Sequence, residues 1–437
     1  VYILKEEKAR KIPTPGSMDN HGNFTASICE IVRWLGEQAE GLGVNLFTGF
    51  PADSLLVQDG AVVGVRTTPS GLNRDGEPGG GYAPPTDLGA RVVALAEGCR
   101  GPLTQAWLEK EGIGAANPQL VALGVKEIWE TKADLDHVIH TVGWPLPKDA
   151  FGGAFVYPLE KGLIALGLVV GMDWKQTNVD VHLLTQKLKL HPPIKPLLEG
   201  GELLEWGAKT IPEGGYHALP ERLAGDGLVL LGDAAGFLDV PSLKGIHYAI
   251  QSGIEAAEAI FKALKKDDVS AAGLAAYDAR MRESYVVEDL RRTRNVRLAF
   301  KSGFWWGGFK SMLMLWTKGA VPGGKIDAEP DADEPKTVAA PEAFTPDGEL
   351  TFSNVDAVYK SGNQTRDDIP SHLLVGEDVP PEVADLYAAM CPAGVYERDG
   401  DTLVVNAPNC VDCRATDVLG PRWTPREGGS GPRYKRM

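Results

Sequence analysis

Three cysteines near the C-terminal end of the chain constrain its fold more than any other feature. Cys391 opens the phrase CPAGVYE, and Cys410 and Cys413 form a C-x-x-C in NCVDC. Thiolates are soft ligands, and a C-x-x-C loop aims two of them at one metal while a distant cysteine supplies a third. This spacing predicts that the end of the chain folds around an iron–sulfur or zinc site.

The identity of the fourth ligand decides what the site can hold. A C-x-x-C-x-x-C run would place a further cysteine at position 416, where this chain has Thr416. A redox dithiol would not need Cys391, and a zinc site would want a fourth nitrogen or sulfur ligand, yet no histidine lies in the last 60 residues. The phrase CPAGVY followed by strand-like TLVVNA is typical of half a bacterial-type ferredoxin. An iron–sulfur cluster is therefore favoured, with zinc and plain thiols as the alternatives.

Composition limits the classes of protein that the chain can be. Its 437 residues, 43% apolar and 24% charged, predict two or three ordinary globular domains. A net charge of −15 argues against nucleic acid as a partner. The five cysteines are an odd number spread over a long chain, which indicates a reducing compartment rather than a disulfide framework.

Hydrophobic periodicity predicts several elements. Residues 24–42 have helical spacing, and the next segments are strand-like VNLFTGF and a hairpin that turns at Asp59–Gly60. A Gly/Pro-rich loop is predicted over 71–85. HTVGWPL, FGGAFVYPL and LIALGLVVGMDW are predicted to be adjacent strands of one sheet. A long helix is predicted over 272–300.

The segment LVLLGDAAGFLDVPSLKGIHYAIQSG is the second strong signal. A buried strand delivers Gly232 and Asp233 into a turn of small residues, where backbone can approach a ligand closely. The Asp233 carboxylate can accept hydrogen bonds from the hydroxyls of a ribityl chain. The helix from Gly245 to Ala259 offers its N-terminus to a polarised or anionic group. We therefore predict a flavin site here, against the alternative of a strand-to-helix turn with a solvent-facing aspartate.

One part of a dinucleotide-binding fold is not found in this sequence. Such a fold normally begins with a strand, G-x-G-x-x-G and a helix, and that spacing occurs nowhere in the chain. The chain also begins VYILKEEK, without an initiator methionine. These observations predict a fragment that lacks its N-terminus and binds FAD poorly or not at all.

With both signals in hand, the chain resembles the electron-transfer flavoprotein–ubiquinone oxidoreductase family. The resemblance extends over nearly the whole sequence and includes, in order, MDNHGN, WLGEQAEGLGV, AEGCRG, HTVGWPL, FGGAFVY, ALGLVVG, LEGGELLEWGAK, VPSLKGIHYAIQSGI, CPAGVYE and GGSGPRY. It implies an α/β (α+β) FAD-dependent oxidoreductase fold of the glutathione-reductase or geranylgeranyl-reductase-like type. An inserted quinone-binding sheet domain and a C-terminal ferredoxin-like iron–sulfur domain would complete it.

The resemblance also implies an activity and its cofactors. The chain would hold FAD and a 4Fe–4S cluster, take electrons from electron-transfer flavoprotein and reduce ubiquinone to ubiquinol. The residues that it implies are listed by role: cluster ligands Cys391, Cys410 and Cys413; quinone contacts Gly152 and Gly153; FAD contacts Gly232, Asp233, Lys244, Gly245, Ile246 and His247.

This chain departs from the family pattern at two sites. Thr416 stands where the family has the fourth cluster ligand, and Ala415 stands where the family has a threonine. A hydroxyl binds iron poorly, so a 3Fe–4S cluster or a labile 4Fe–4S cluster is expected, with Asp412, Thr416, Asp417 or water at the fourth position. Phe151 stands where a tyrosine is usual, beside the quinone glycines.

The predicted domains divide the chain as follows: FAD-binding, 1–100 and 215–285; quinone-binding and membrane-contacting, 101–214; helix and apolar membrane-surface segment, 286–326; acidic Pro-rich linker, 327–349; ferredoxin-like, 350–437. Because quinone is apolar, its entry should be an apolar patch on a bilayer, and FKSGFWWGGFKSMLMLW after basic DLRRTRNVR suits that role. A hydrophobic core helix is the alternative for this segment.

The expected location is the membrane surface. No run of 18 apolar residues occurs, so a peripheral protein is predicted, on the cytoplasmic face of a bacterial inner membrane or the matrix face of the mitochondrial one. Two other functions remain open from the sequence. One is a geranylgeranyl-reductase-like flavoenzyme, and the other is a non-catalytic remnant that only docks to the donor flavoprotein or to membrane.

Overall fold

The computed structural model describes residues 1–321, 323–364, 366–376, 379–420 and 424–437. The strands of these residues are β1 (Tyr2–Lys5), β2 (Lys8–Lys11), β3 (Ala52–Gln58), β4 (Ala61–Thr67), β5 (Ser70–Leu72), β6 (Pro78–Ala83), β7 (Asp87–Gly89), β8 (Val93–Leu95), β9 (Val121–Glu130), β10 (Ile139–Gly143), β11 (Gly152–Glu160), β12 (Leu163–Gly171), β13 (Glu202–Pro212), β14 (Ala224–Gly225), β15 (Leu228–Leu230), β16 (Tyr396–Asp399) and β17 (Thr402–Val405).

The helices are α1 (Ile28–Gly41), α2 (Pro102–Lys110), α3 (Val181–Lys189), α4 (Lys195–Leu198), α5 (Ile246–Lys265), α6 (Ala271–Glu283), α7 (Tyr285–Arg292), α8 (Val296–Ala299), α9 (Phe304–Trp316), α10 (Asn354–Lys360) and α11 (Pro381–Met390). α1 begins four residues later than the predicted helix, because Ser27 is extended and its hydroxyl accepts a hydrogen bond from Glu30 N at 3.2 Å.

A seven-stranded sheet in the order β13-β9-β12-β11-β10-β1-β2 organises the molecule. All nine residues of β12 are buried, as their continuous aliphatic run predicts for a strand covered on both faces. The predicted neighbours HTVGWPL, FGGAFVYPL and LIALGLVVGMDW form β10, β11 and β12, which pair antiparallel in that order. That prediction is confirmed.

A second, three-stranded sheet carries the predicted flavin turn. Its order is β14-β15-β8, and β15 runs parallel to β8 with Val229 opposite Ala94. α5 follows the turn after β15, and α6 packs against α5 and against β14. The predicted strand LVLL and the helix that follows it are therefore both present.

Local predictions were confirmed at one turn and wrong at three segments. Asp59 and Gly60 have φ of 50° and 89° and join β3 to β4, as predicted for this hairpin. VNLFTGF forms no strand. The predicted loop 71–85 contains β6, which pairs with β5. The predicted helix 272–300 is three helices, because the extended backbone of Ser284 ends α6 and a further break separates α7 from α8.

A buried charge pair attaches the C-terminal region to the large sheet. Lys189 of α3 donates to Glu127 of β9 at 2.9 Å, and neither side chain is exposed. Trp129 donates to the second oxygen of Glu127 at 2.7 Å. The Lys189 ammonium also lies 5.3 Å from the Trp129 ring and 5.2 Å from the ring of Phe352. The large sheet, α3 and the C-terminal region thus meet at one buried ion pair whose two carboxylate oxygens both accept hydrogen bonds.

Replacing Lys189 with Met should destabilise the fold, because Glu127 would stay buried without its cation. Loss of one partner of a buried pair costs about 3–5 kcal/mol. Guanidinium unfolding followed by tryptophan fluorescence measures the change. Lys195→Met is the matched control, since Lys195 and Glu199 form an exposed pair at 3.9 Å that should contribute less than about 1 kcal/mol. Equal shifts of the two midpoints would contradict this account.

Candidate cofactor and quinone sites

The three predicted cysteine ligands are all buried, Cys391 at the end of α11 and Cys410 and Cys413 in the loop after β17. Cys391 follows the last turn of α11, where its N–H donates to Tyr387 O at 3.0 Å. Cys413 lies between Asp412 and Arg414, which both have left-handed backbone with φ of 56° and 66°. Cys391, Cys410 and Cys413 are 5–8% exposed. The left-handed residues on either side of Cys413 turn the loop sharply around the thiols.

Burial sets the acidity of these thiols. It raises the pKa of Cys391 and of Cys413 to about 12; the charge of Cys410 adds to the rise at Cys391, and the charge of Cys391 adds to the rise at Cys413. Burial also raises the pKa of Cys410, with Asp412 as the next cause. Opposing this, backbone N–H groups donate to the sulfurs, such as Asp412 N to Cys410 Sγ at 3.4 Å. Such donors suit thiolates that bind iron.

Thr416 lies beside the same cysteines. It is buried, within the single 3-10 turn Ala415–Leu419. Burial raises the pKa of Tyr396, the adjacent Thr416 hydroxyl opposes that rise, and Cys391 and Cys410 add to it. Thr416 as the occupant of the fourth ligand position stays a prediction.

The carboxylates expected as substitute ligands already have cationic partners. Asp417 forms an ion pair with Arg414 at 2.5 Å. Asp412 pairs with Arg426 at 2.7 Å. Recruiting either carboxylate to iron would break an ion pair, so Thr416 and water are the better candidates for the fourth position.

A histidine that the sequence reasoning missed lies close to Cys410. The ligand atoms of His372, Cys410 and Asp412 are all within 4.8 Å of one another. His372 lies 38 residues before Cys410 in the sequence, which matches no short metal-ligand spacing. The sequence disfavoured zinc because no histidine lies in its last 60 residues. That reason was wrong, since the fold brings His372 close to Cys410.

Replacing Thr416 with Cys should raise the iron content of anaerobically reconstituted protein and its stability in air. A thiolate binds iron far better than a hydroxyl, and position 416 follows Cys413 at C-x-x-C spacing. Iron and acid-labile sulfide per chain are the measurements. Thr416→Val, which matches threonine in shape and supplies no ligand, is the control. Equal iron content in the Cys variant and the wild type would refute this account of position 416.

The predicted flavin turn has the backbone that a close-approaching ligand needs. Gly232 has φ of 53°, and a Cβ there would lie 3.0 Å from the Ala249 Cβ. The Asp233 carboxylate accepts no hydrogen bond from the described residues. Burial raises the pKa of Asp233 to about 6, while the charge of Lys209 opposes the rise. A half-buried carboxylate without a donor suits ligand hydroxyls.

The segment after the turn meets the N-terminal region of the chain. Lys244 donates to Asn20 of the MDNHGN phrase at 2.7 Å, and the Asn20 amide lies 3.1 Å from His140 Nε2. Burial lowers the pKa of His140 to about 4, helped by the charge of Lys244. α5 begins at Ile246 without a side-chain cap, so its first N–H groups are available. Gly245 precedes it, and the predicted contact His247 lies exposed in its first turn.

One strand connects the flavin turn to the cysteine loop. Lys209 of β13 donates to Asp412 O at 3.0 Å, and its charge opposes the rise that burial causes in the pKa of Asp233 and of Cys413. Thr210 N donates to Cys413 O at 3.0 Å. A lysine and a threonine, adjacent in sequence, thus lie between the two candidate cofactor sites.

The predicted quinone glycines lie at the start of β11. A Cβ on Gly152 would lie 2.1 Å from Val169 O, and one on Gly153 would lie 2.8 Å from Thr141 O. Close approach of the neighbouring strands therefore accounts for both glycines. Phe151 precedes them, and its ring lies 5.2 Å from the ring of Phe300.

The residues fit both implied cofactors. A half-buried carboxylate without a donor among the described residues, a left-handed glycine turn and an uncapped helix N-terminus together suit a flavin. Three buried thiols that receive backbone N–H groups suit an iron–sulfur cluster. The fold and these sites define an oxidoreductase of the flavin and iron–sulfur class.

Comparison with known proteins identifies the family. The family model described as "ETF-QO, ubiquinone-binding" matches residues 121–211, and that described as "Electron transfer flavoprotein-ubiquinone oxidoreductase, 4Fe-4S" matches residues 348–435. The chain belongs to the electron-transfer flavoprotein–ubiquinone oxidoreductase family.

Curated relatives share this description over the whole chain. The mitochondrial electron transfer flavoprotein-ubiquinone oxidoreductase of Dictyostelium discoideum is 37% identical, and the alignment covers 100% of this chain and 78% of that protein. The Arabidopsis thaliana protein is 38% identical over 100% of this chain and 72% of its own length. The human protein is 35% identical, and the alignment covers 100% of this chain and 76% of that protein.

Solved structures support the fold. A geranylgeranyl bacteriochlorophyll reductase-like protein from Thermoplasma acidophilum superposes with a TM-score of 0.52 at 20% identity, covering 65% of this chain and 66% of that chain. At that identity the similarity extends to the fold alone. The predicted family, fold class, oxidoreductase class and cofactors, FAD and a 4Fe–4S cluster, are confirmed. The domain boundaries and the site residues stay predictions.

Proposed function

We propose that this chain accepts electrons from electron-transfer flavoprotein and reduces ubiquinone to ubiquinol, using FAD and an iron–sulfur cluster. One observation supports this most directly. Lys209 and Thr210 of β13 contact the cysteine loop, and Arg100, which follows β8 of the sheet that carries the flavin turn, donates to Asp417 O in the turn after Cys413 at 3.0 Å. Two redox groups held by these residues would be neighbours, as electron transfer between them requires.

The residues of the chain have distinct tasks in this function. When bound, FAD supplies storage for one or two electrons and the cluster for one, which suits a one-electron donor and a two-electron acceptor. Asp233 would accept hydrogen bonds from flavin hydroxyls, and the start of α5 would stabilise negative charge on the flavin ring. Cys391, Cys410 and Cys413, which are all buried, would hold the iron. The Lys209 ammonium favours negative charge on either side of it.

With three thiolates at the cluster site, the proposed centre is a 3Fe–4S cluster or a labile 4Fe–4S cluster. Thr416 or water would complete the coordination of the latter. The ion pairs of Asp412 and Asp417 with arginines support this choice over carboxylate ligation.

The proposed membrane-contacting face is one side of α9. Four apolar side chains with i, i+4, i+7 and i+11 spacing are exposed there: Trp305, Phe309, Met312 and Trp316, with Trp306 beside them. Arg291, Arg294 and Lys318 line a nearby cavity of about 500 Å³. Aromatic and cationic side chains together suit a surface with anionic lipids. Among the described helices, none has both the length and the apolar content that crossing a membrane would require.

This face supports a peripheral location on the membrane that contains the quinone, either the cytoplasmic face of a bacterial inner membrane or the matrix face of the mitochondrial one. An apolar acceptor would reach the protein from the bilayer beside α9.

Replacing Trp305 and Trp306 with Ser should weaken binding to vesicles that contain anionic lipid, because two exposed indoles are lost from the contact face. Sedimentation with liposomes measures the bound fraction, and circular dichroism monitors the fold. The control is the double variant Tyr359→Ser, Leu374→Ser, which removes side chains that are 83% and 66% exposed elsewhere. Unchanged sedimentation of the tryptophan variant would rule out α9 as the contact face.

The activity itself is tested with protein reconstituted with FAD, iron and sulfide. Reduced electron-transfer flavoprotein and a short-chain ubiquinone analogue should yield quinol. Cys410→Ser removes one cluster ligand and should lower the rate by about 10-fold or more, while the bound flavin spectrum persists. Absence of quinol formation by wild-type protein that holds both cofactors would refute the proposal. Failure to bind flavin at all would favour the non-catalytic remnant.

A further inference from the structure

A cavity lined by cations, the basic cavity, lies beside the end of α9 and has a volume of about 500 Å³. Three cationic side chains and two rings are among its lining residues: Arg291, Arg294, Lys318, Tyr216 and His217. It lies between α7, the 3-10 turn Gly215–Ala218 that packs against α7, and the segment that follows α9. No carboxylate of the described residues lines it.

The three cations of the basic cavity differ from a close neighbour in having no acidic partner. Arg292, the residue after Arg291, forms ion pairs with Glu288 and Asp289. By contrast, none of the three cations that line the cavity forms an ion pair with a described carboxylate. The chain has 59 acidic residues against 44 lysines and arginines, so most of its surface is negative. The basic cavity is therefore a local excess of positive charge.

Arg294 is held in place while part of its guanidinium stays unused. Its Nε donates to Gly324 O at 3.2 Å, and its Nη1 donates to Arg291 O at 2.8 Å. Nη2 has no acceptor among the described residues. Gly319 lets the chain pass close to this group, since its φ is 85° and a Cβ there would lie 2.8 Å from Arg294 Nη1. A positioned guanidinium with unused N–H groups suits a phosphate.

Helix ends account for only part of this positive charge. Arg291 lies in the last turn of α7, and Lys318 is the second residue after the end of α9. The C-terminal end of a helix carries about half a negative charge, so two such ends offset about one of the three positive charges. The remaining charge favours an anionic ligand in the basic cavity.

The surface beside the basic cavity is apolar. Trp316, the last residue of α9, is 81% exposed, and Val321 is 46% exposed. Lys318 lies two residues after Trp316, so their Cα atoms are at most about 7 Å apart. An anion in the cavity would therefore lie beside exposed apolar side chains of the proposed membrane-contacting face. A phosphate joined to apolar chains is the chemistry of a phospholipid.

We propose that the basic cavity binds the phosphate group of one anionic phospholipid, whose acyl chains lie along the membrane-contacting face of α9. This inference deepens the proposed membrane contact and rests on it for the source of the phosphate. The phosphate oxygens accept hydrogen bonds from Arg294 and from the cations of Arg291 and Lys318. A headgroup bound there orients α9 on the bilayer, because the site lies at the end of that helix.

Titration calorimetry with dihexanoyl phosphatidylglycerol, kept below its critical micelle concentration, tests the site without a bilayer or cofactors. We expect one lipid to bind per chain. The double variant Arg291→Gln, Lys318→Gln should weaken binding by about 10-fold or more, because two charge-assisted contacts are lost. Both side chains are exposed, so the fold should persist, and circular dichroism checks this.

The matched control is the double variant Lys301→Gln, Lys310→Gln. It removes two cations just before α9 and on α9, outside the basic cavity, and should bind the lipid like the wild type. Dihexanoyl phosphatidylcholine has the same chains and a phosphate but no net charge, so it should bind about 10-fold more weakly. Inorganic phosphate, which has no acyl chains, should also bind more weakly than phosphatidylglycerol.

Equal weakening by the two double variants, or no lipid binding by the wild type, would overturn the inference in favour of diffuse electrostatic attraction. Inorganic phosphate that binds as tightly as the lipid would overturn the lipid assignment and identify a soluble phosphate ligand. Wild type that sediments with anionic vesicles but does not bind the short lipid would leave the proposed membrane contact standing without this site. Because the titration needs no cofactor, failure of quinol formation is a separate result.

Discussion

A single backbone hydrogen bond, from Thr210 N to Cys413 O at 3.0 Å, fixes the cysteine loop to the large sheet. β13 is the edge strand of that sheet, so its outer N–H groups are available to the C-terminal region. Lys209 strengthens the contact by donating to Asp412 O. Because β13 is itself paired with β9 along its length, the cysteine loop is attached to a strand that the buried sheet holds in place.

The same strand organises the chemistry around it. Lys209 acts electrostatically on both the flavin turn and the cysteine loop, and Glu213 follows one residue after the strand ends. The Arg297 guanidinium binds Glu213 and lies over the ring of Phe151, which directly precedes the predicted quinone glycines.

The sequence predicted those features that local chemistry determines. Soft ligands at C-x-x-C spacing, the small residues around Asp233 and the Asp59–Gly60 turn all follow from residue type and short spacing. It could not predict contacts set by chain topology. His372 reaches Cys410 across 38 residues, and Asp331, in a segment that reads as an acidic linker, is buried against Val121. Nor could it show that Gly152 and Gly153 are required by neighbouring strands.

Low-temperature EPR with iron and sulfide analysis, on anaerobically reconstituted protein, tests the central claim that three buried cysteines hold a redox-active cluster beside the flavin turn. The account predicts an iron–sulfur signal. A signal in the oxidised sample that disappears on reduction would identify a 3Fe–4S cluster, and one that appears only on reduction would identify a 4Fe–4S cluster with a substitute ligand. Protein without bound iron and without a signal would contradict the account.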